Sequence, residues 1–275
     1  MSELLEKFKL EGKVAIITGG AGLLGCQHAE AIAEVGGTPI LWDINSDEVL
    51  SKATELEKKY KTGCEGMTVD ITDSNSIKKA RDAILLKHHQ INILINNAAN
   101  DPKATANSAA SGRLENFSIE DWQKDLDVGL MGAFLCSQII GMHMESSGMG
   151  VILNIASDLG VIAPDQRIYR QQGLQNNQQP TKPVTYSVIK HGLIGLTKYL
   201  AVYWVDKNIR VNSLSPGGVY TNQSEEFVDR LTNLIPMGRM AKEDEYKAAV
   251  LFLISDASSY MTGANLVIDG GRTSW

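Results

Sequence analysis

Short runs of apolar, β-branched residues alternate with longer amphipathic stretches almost from one end of the chain to the other. Lys13–Thr18 (KVAIIT) is the first such run. A glycine-rich turn follows it, and the spacing predicts a helix over about Gly22–Val35. Thr38–Trp42 predicts a second strand, Ser46–Tyr60 a polar surface helix, Cys64–Asp70 a third strand and Ser74–Lys87 a third helix. Ile91–Asn96, Gly150–Ala156, Arg210–Leu214 and Asn265–Ile268 read as strands four to seven, with helices expected over Glu120–Met144 and Thr185–Trp204. Strands that are apolar throughout must be covered on both faces, and helical crossovers require parallel neighbours. The pattern therefore predicts an α/β fold with one doubly wound sheet of about seven parallel strands, flanked by helices on both faces. No repeat or linker divides it, so residues 1–275 are expected to form a single domain.

Two segments break the alternation. Ala99–Ser118 follows strand four and Asp158–Val184 follows strand five. Loops longer than about 12–15 residues are uncommon in compact domains unless they serve a function. Both leave the carboxyl edge of the sheet, where open α/β sheets hold their ligands. The 158–184 segment is amide-rich and carries Arg167 and Arg170. Amides and planar guanidinium groups suit a hydroxyl-rich ligand bearing phosphate or carboxylate, whereas an acyl chain would favour an apolar lining.

Composition narrows the field. Among 275 residues, 43% are hydrophobic and 21% charged, which is ordinary for a globular chain. A net charge of −6 argues against a nucleic-acid partner, which needs a basic face. Cys26, Cys64 and Cys136 show no metal spacing and read as reduced thiols of a cytoplasmic protein, with no metal expected. The charged N-terminus lacks the apolar core of a signal peptide, and no apolar run approaches the roughly 20 residues that span a bilayer, so no membrane partner is expected. His28, His88, His89 and His143 are read as surface or helix-end residues, and His191 as an interface residue.

Candidate chemistry starts in the first turn. Gly20-Ala21-Gly22-Leu23-Leu24-Gly25 is a G-x-G-x-x-G between a strand and a helix, the arrangement that brings a backbone and a helix N-terminus to a pyrophosphate. Asp43 ends the second strand 18 positions after Gly25, where a carboxylate can accept hydrogen bonds from the adenosine ribose. A 2′-phosphate there would meet like charge, and Ile44 and Asn45 offer no cation, so NAD is expected rather than NADP. The fold class becomes Rossmann-type.

Further motifs follow in a specific order. Thr18-Gly19, Asp70, Asn96-Asn97-Ala98, Ser157, Tyr186-Ser187-Val188-Ile189-Lys190, Arg210-Val211-Asn212 and Pro216-Gly217-Gly218-Val219-Tyr220-Thr221 lead to Gly238-Arg239-Met240, Thr262-Gly263 and Asp269-Gly270-Gly271. In order and spacing the chain resembles the classical short-chain dehydrogenases/reductases from about Leu10 to its end. The resemblance implies an enzyme with Ser157, Tyr186 and Lys190 as catalytic residues. It implies a cofactor site drawn from Gly19, Gly20, Gly22, Leu24, Gly25, Asp43, Asp70, Ile71, Asn97, Ala98, Tyr186, Lys190, Pro216, Gly217, Val219 and Thr221. Asp158, Arg167 and Arg170 are expected at the substrate, residues 221–236 as a lid, and paired apolar helices as the interface of a homotetramer.

The proposed chemistry is physically coherent. Tyr186 and Lys190, four apart on a helix, share a face. A phenol ionises near pH 10 in water, and a neighbouring ammonium favours the phenolate. Tyr186 would exchange a proton with the reacting oxygen while Ser157 stabilises its developing charge.

The chain departs from the family pattern at three places. Leu23 stands where the classical loop has glycine, and the spacing of Gly19, Gly22 and Gly25 resembles the nucleotide-sugar-modifying branch. Gly129 replaces an asparagine thought to hold a relay water, and a kink is expected there. Ser157 and Tyr186 lie 29 positions apart, about twice the usual separation. Together these features resemble the subgroup linked to flagellin modification and nine-carbon sugars such as legionaminic acid, which implies a sugar or nucleotide-sugar substrate. Alternatives are a 3-oxoacyl carrier-protein reductase, which would want a cation near Asp43, and a catalytically weak NAD-binding regulator.

Overall fold

The computed structural model describes residues 2–100 and 112–275. Its strands are β1 (Val14–Thr18), β2 (Thr38–Asp43), β3 (Glu65–Thr68), β4 (Ile93–Asn96), β5 (Gly150–Ile155), β6 (Ile209–Pro216) and β7 (Asn265–Ile268). All pair in parallel, in the order β3-β2-β1-β4-β5-β6-β7. The order reverses between β1 and β4, so a crevice opens beyond their carboxyl ends.

Crossovers are made by α1 (Leu23–Glu34), α2 (Ser46–Tyr60), α3 (Ser74–His88), α4 (Ile119–Leu126), α5 (Gly132–Ser147), α6 (Val184–Tyr203) and α8 (Lys247–Ile254), while α7 (Glu225–Thr232) stands over the cleft mouth. Successive strand residues feed opposite cores. Ile16, Ile40, Leu94 and Ile152 pack with Ile77 of α3, Ile140 of α5 and Leu200 of α6. Ile17, Leu41, Ile95 and Leu153 pack with Ile32 of α1, Val49 of α2 and Val250 of α8.

Element ends differ from the pattern where pairing decides them. β3 is shorter than expected because it is an edge strand with β2 as its one neighbour. β6 is longer because β5 pairs with it from Ile209 to Leu214 and β7 extends the pairing from Ser213 to Pro216. The residue pattern does not announce α8: its run KAAVLFLI is too short and too uniformly apolar to display a helical period.

The helix expected over Glu120–Met144 is a helical path from Ile119 to Ser147 that widens into a π turn at Asp127–Met131. Among the described residues it is the one helix long and apolar enough to cross a membrane by length and composition. Its residues Cys136, Ile139, Ile140 and Met144 pack on the sheet, as in a core helix. Behind the crevice runs a buried polar chain. Asn96 donates to Ser137 (3.0 Å) and Asn154 (2.8 Å), Asn154 donates to Thr197 (2.8 Å), and Thr197 donates to the Leu193 carbonyl (2.8 Å). Such bonds fix the register of α5 and α6 on β4 and β5, because misplacement would leave buried polar groups unpaired.

His28 corrects the sequence reading. It lies on α1 and is 0% exposed, because the helix face that follows the glycine loop is pressed against the sheet. Neither ring nitrogen has a hydrogen-bond partner among the described residues. Burial, the larger influence, holds the imidazole down to about 4 from 6.5, opposed by the neighbouring Asn97 side chain. The folded chain thus keeps His28 neutral where the unfolded chain protonates it. Stability from this group is full above about pH 6.5 and is lost as pH falls toward 4. Wild type should lose about 2 kcal/mol more than His28→Gln between pH 7 and pH 5 in urea unfolding. Equal losses would contradict the burial account.

Candidate active site

At the crevice, β1 and β4 are tied end to end. Thr18 Oγ1 accepts from the backbone N–H groups of Asn97 (3.0 Å) and Ala98 (3.1 Å), and the Asn97 amide donates to the carbonyls of Thr18 (3.0 Å) and Gly19 (3.1 Å). Gly19 has φ +61°, and a Cβ there would sit 2.9 Å from Ala98 Cα. A Cβ at Gly25 would collide with the Gly19 carbonyl, so the loop closes only over glycine. Gly20 packs against Leu41, making Gly20 and Gly25 spacing residues of the loop.

Gly22 starts α1 without a side-chain cap, which leaves the first-turn N–H groups for a ligand. A cavity of about 490 Å³ lies here, lined by Gly19, Gly22, Leu24, Asp43, Asp70, Ile71, Asn97 and Ala98 among others. Asp43 Oδ2 accepts from the Ala21 N–H (3.2 Å), so the second strand also braces the loop. An uncapped helix end, a carboxylate at the end of β2 and apolar Val69 and Ile71 form a donor set that fits a dinucleotide.

A larger cavity of about 660 Å³ shares Leu23, Leu24, Asn97 and Ala99 with the first, so the two form one cleft. Ser157, Tyr186 and Lys190 meet in it, as do Pro216, Gly217, Val219 and Thr221. Lys190 is buried. Its Nζ donates to the Ile155 carbonyl (2.8 Å) and lies 5.7 Å from the centre of the Tyr186 ring. Lys182 Nζ lies 3.9 Å from the same ring centre. The start of α6 is pinned by Thr185, which donates to the buried Asp125 on α4 (2.6 Å).

Ser157 Oγ donates to Asp158 Oδ1 (2.8 Å) and accepts from the Leu159 N–H (3.2 Å). Asp158 in turn meets Arg272 Nη1 at 2.7 Å, with both side chains no more than 6% exposed. Of the substrate residues expected from sequence, Asp158 and Arg170 line the cavity. Arg167 does not: its side chain is 78% exposed and is held on Asp165 (2.6 Å). Part of the expected 99–118 loop lies outside the described residues.

The 158–184 segment is folded as a run of 3₁₀ turns rather than an open loop. Its amides close on themselves: Gln179 accepts from the Gln171 N–H and donates to the carbonyls of Gln171 and Leu174. Ile168 of this segment joins Leu231, Ile235 and Met240 in a small apolar cluster, with Tyr169 against Phe227. The segment expected as a lid thus packs on the insertion, and Arg230 of α7 donates to the Arg170 carbonyl. Lys182, Arg230 and Arg272 are cleft residues that the sequence motifs do not single out. Lys182 has a visible signal, four residues before Tyr186 in the same insertion; Arg230 and Arg272 reach the cleft by tertiary packing alone.

Gly129 sits in the π turn, where a Cβ would come within 2.7 Å of Ile189 Cγ2. The glycine therefore lets α6 approach, and with it Tyr186 and Lys190.

Comparison with known proteins agrees with this architecture. A family model described as enoyl-(acyl carrier protein) reductase matches residues 21–273. D-threitol dehydrogenase of Mycolicibacterium smegmatis is 35% identical over 271 residues, spanning 97% of this chain and 95% of that protein. NAD-dependent glycerol dehydrogenase of Listeria innocua is 34% identical over 271 residues, spanning 97% and 96%. A 3-oxoacyl-[acyl-carrier-protein] reductase of Thermotoga maritima is 33% identical over 270 residues, spanning 96% and 98%. Among solved structures, gluconate 5-dehydrogenase from Burkholderia cenocepacia, in complex with NADP and tartrate, aligns with a TM-score of 0.85 at 28% identity, covering 98% of this chain and 99% of that one.

Because Ile189 fills the space that an asparagine side chain at position 129 would need, Gly129→Asn should destabilise by about 1–3 kcal/mol through overpacking. Thermal unfolding should fall by several degrees. An unchanged midpoint would show that α6 gives way freely.

Proposed function

The chain belongs to the classical short-chain dehydrogenase/reductase family of oxidoreductases, which bind a nicotinamide cofactor, and we propose that it is an NAD-dependent enzyme acting at a hydroxyl or keto carbon of a polyhydroxylated substrate. The observation that carries this reading is the convergence of Ser157, Tyr186 and Lys190 in one cavity continuous with the glycine-loop cavity.

A bound nicotinamide would supply or take up hydride. The chain's own residues handle the oxygen and its proton. In alcohol oxidation Tyr186 accepts the hydroxyl proton, and in reduction it donates one. Lys190, held by the Ile155 carbonyl, places a positive charge beside the phenol and favours its ionised form. Ser157 stabilises the charge that develops on the oxygen. The uncapped first turn at Gly22, Leu23 and Leu24 would hold the pyrophosphate, Asp43 the adenosine ribose, and Asp70 with Ile71 the adenine.

Asp43 supports NAD, since a 2′-phosphate beside it would be repelled and its neighbours Ile44 and Asn45 cannot neutralise it. Polar groups support a sugar-like substrate: Arg170, Gln171, Asn222 and Arg230 line the cavity. Arg170 and Arg230 further suit a carboxylate or phosphate on that substrate, as in the nucleotide-activated sugars of the flagellin-modification subgroup. A 3-oxoacyl carrier-protein reductase is the rival, resting on the Thermotoga relative; Asp43 and the paired arginines Arg170 and Arg230 favour the first reading. In this proposal the chain works in the cytoplasm as a homotetramer, covering exposed Met131, Phe134 and Met142 near α5 and Tyr199, Val202 and Tyr203 on α6.

The test follows NADH absorbance with NAD⁺ and a panel of polyols, free sugars, sugar phosphates and nucleotide-activated sugars. Turnover by wild type should fall by at least about a hundredfold in Tyr186→Phe. No turnover on any of them, or an unimpaired variant, would contradict the proposal. A monomeric mass in solution scattering would contradict the assembly.

A further inference from the structure

We propose that Arg272, three residues before the end of the chain, is a positioning residue that neutralises Asp158 and thereby frees the Ser157 hydroxyl for the reacting oxygen. The inference rests on the reading of Ser157 as catalytic.

A serine hydroxyl has one proton to donate and two lone pairs. In this structure the proton is given to Asp158 Oδ1 (2.8 Å), and the Leu159 N–H is shared between Asp158 Oδ1 (2.8 Å) and a lone pair of Ser157 Oγ (3.2 Å). Ser157 can stabilise a developing oxyanion only by turning that proton away from the carboxylate. A carboxylate directly beside it opposes the reaction twice: it holds the serine proton, and it repels negative charge growing on the substrate oxygen. Both penalties are reduced by a cation on the far carboxylate oxygen, and Arg272 Nη1 lies there, 2.7 Å from Asp158 Oδ2.

The placement is built rather than incidental. Gly270 and Gly271 have φ of +68° and +90°, so the chain turns back sharply after β7. Asp269 then accepts from the N–H groups of Gly271 and Thr273 (both 2.8 Å), fixing the segment that delivers Arg272. Asp158 and Arg272 are buried and both line the substrate cavity. Arg272 Nε has no partner among the described residues.

The interaction changes with charge on the reacting oxygen, so it acts in the transition state and belongs in kcat rather than KM. The experiment uses the full-length protein and the best neutral substrate from the panel. Arg272→Gln should lower kcat by about tenfold or more and leave KM within about threefold. Arg272→Lys, which keeps the charge, should recover part of the loss. Asp158→Asn with Arg272→Gln removes both charges, and its kcat should exceed that of Arg272→Gln alone by at least about threefold. Thermal unfolding of each variant separates rate from folding. An Arg272→Gln enzyme with unchanged kcat, or a double variant no faster than Arg272→Gln, would overturn the proposal. Ser157→Ala distinguishes the two failures: if it leaves turnover intact, the catalytic reading of Ser157 itself is wrong.

Discussion

Everything the cleft can do depends on how β1 and β4 part at Thr18. The two strands are neighbours in the sheet, yet their chains leave in opposite directions, and Thr18 Oγ1 receives both backbone N–H groups that follow β4. That tie sets the height of Asn97, which in turn holds the Gly19 carbonyl. The glycine loop is therefore positioned by the far strand as well as by its own. Gly25 closes the same loop from the helix side, because only a missing Cβ allows α1 to begin against the Gly19 carbonyl. An open helix end, a carboxylate from β2 and a groove toward β5 follow from this junction.

The half of the cleft that holds Tyr186 and Lys190 has a different support. α6 carries Tyr186 and Lys190, and its approach is set by Gly129, by the Thr185–Asp125 bond and by the buried chain from Asn96 to Thr197. These contacts make the positions of phenol and ammonium a property of the core rather than of surface loops. Charge is handled in the same manner: the cleft gathers cations in a chain of net charge −6, and its buried carboxylate, Asp158, has a matching guanidinium.

Much of this was legible in the residues. Continuous apolar runs identified the central strands, because burial on both faces leaves no other pattern, and the motif order pointed to Ser157, Tyr186 and Lys190 before any geometry. What stayed hidden required tertiary information. α8 is too short to show a period. His28 looks like a polar helix residue until α1 is laid on the sheet. Arg167 and Arg170 are equivalent in sequence, yet Asp165 turns the first outward while the second lines the cavity. The Gln-rich stretch suggests substrate contacts, but Gln179 commits its amide to the loop's own backbone. Arg272 meets Asp158 across 114 positions, a distance no local pattern spans.

We propose that the cleft opened at the β1–β4 junction prefers NAD over NADP. Calorimetric titration of the purified protein with NADH and with NADPH tests it most directly. One NADH should bind per chain, at least about tenfold more tightly than NADPH, with that preference lost in Asp43→Ala. Equal or tighter binding of NADPH, or no binding of either, would contradict it.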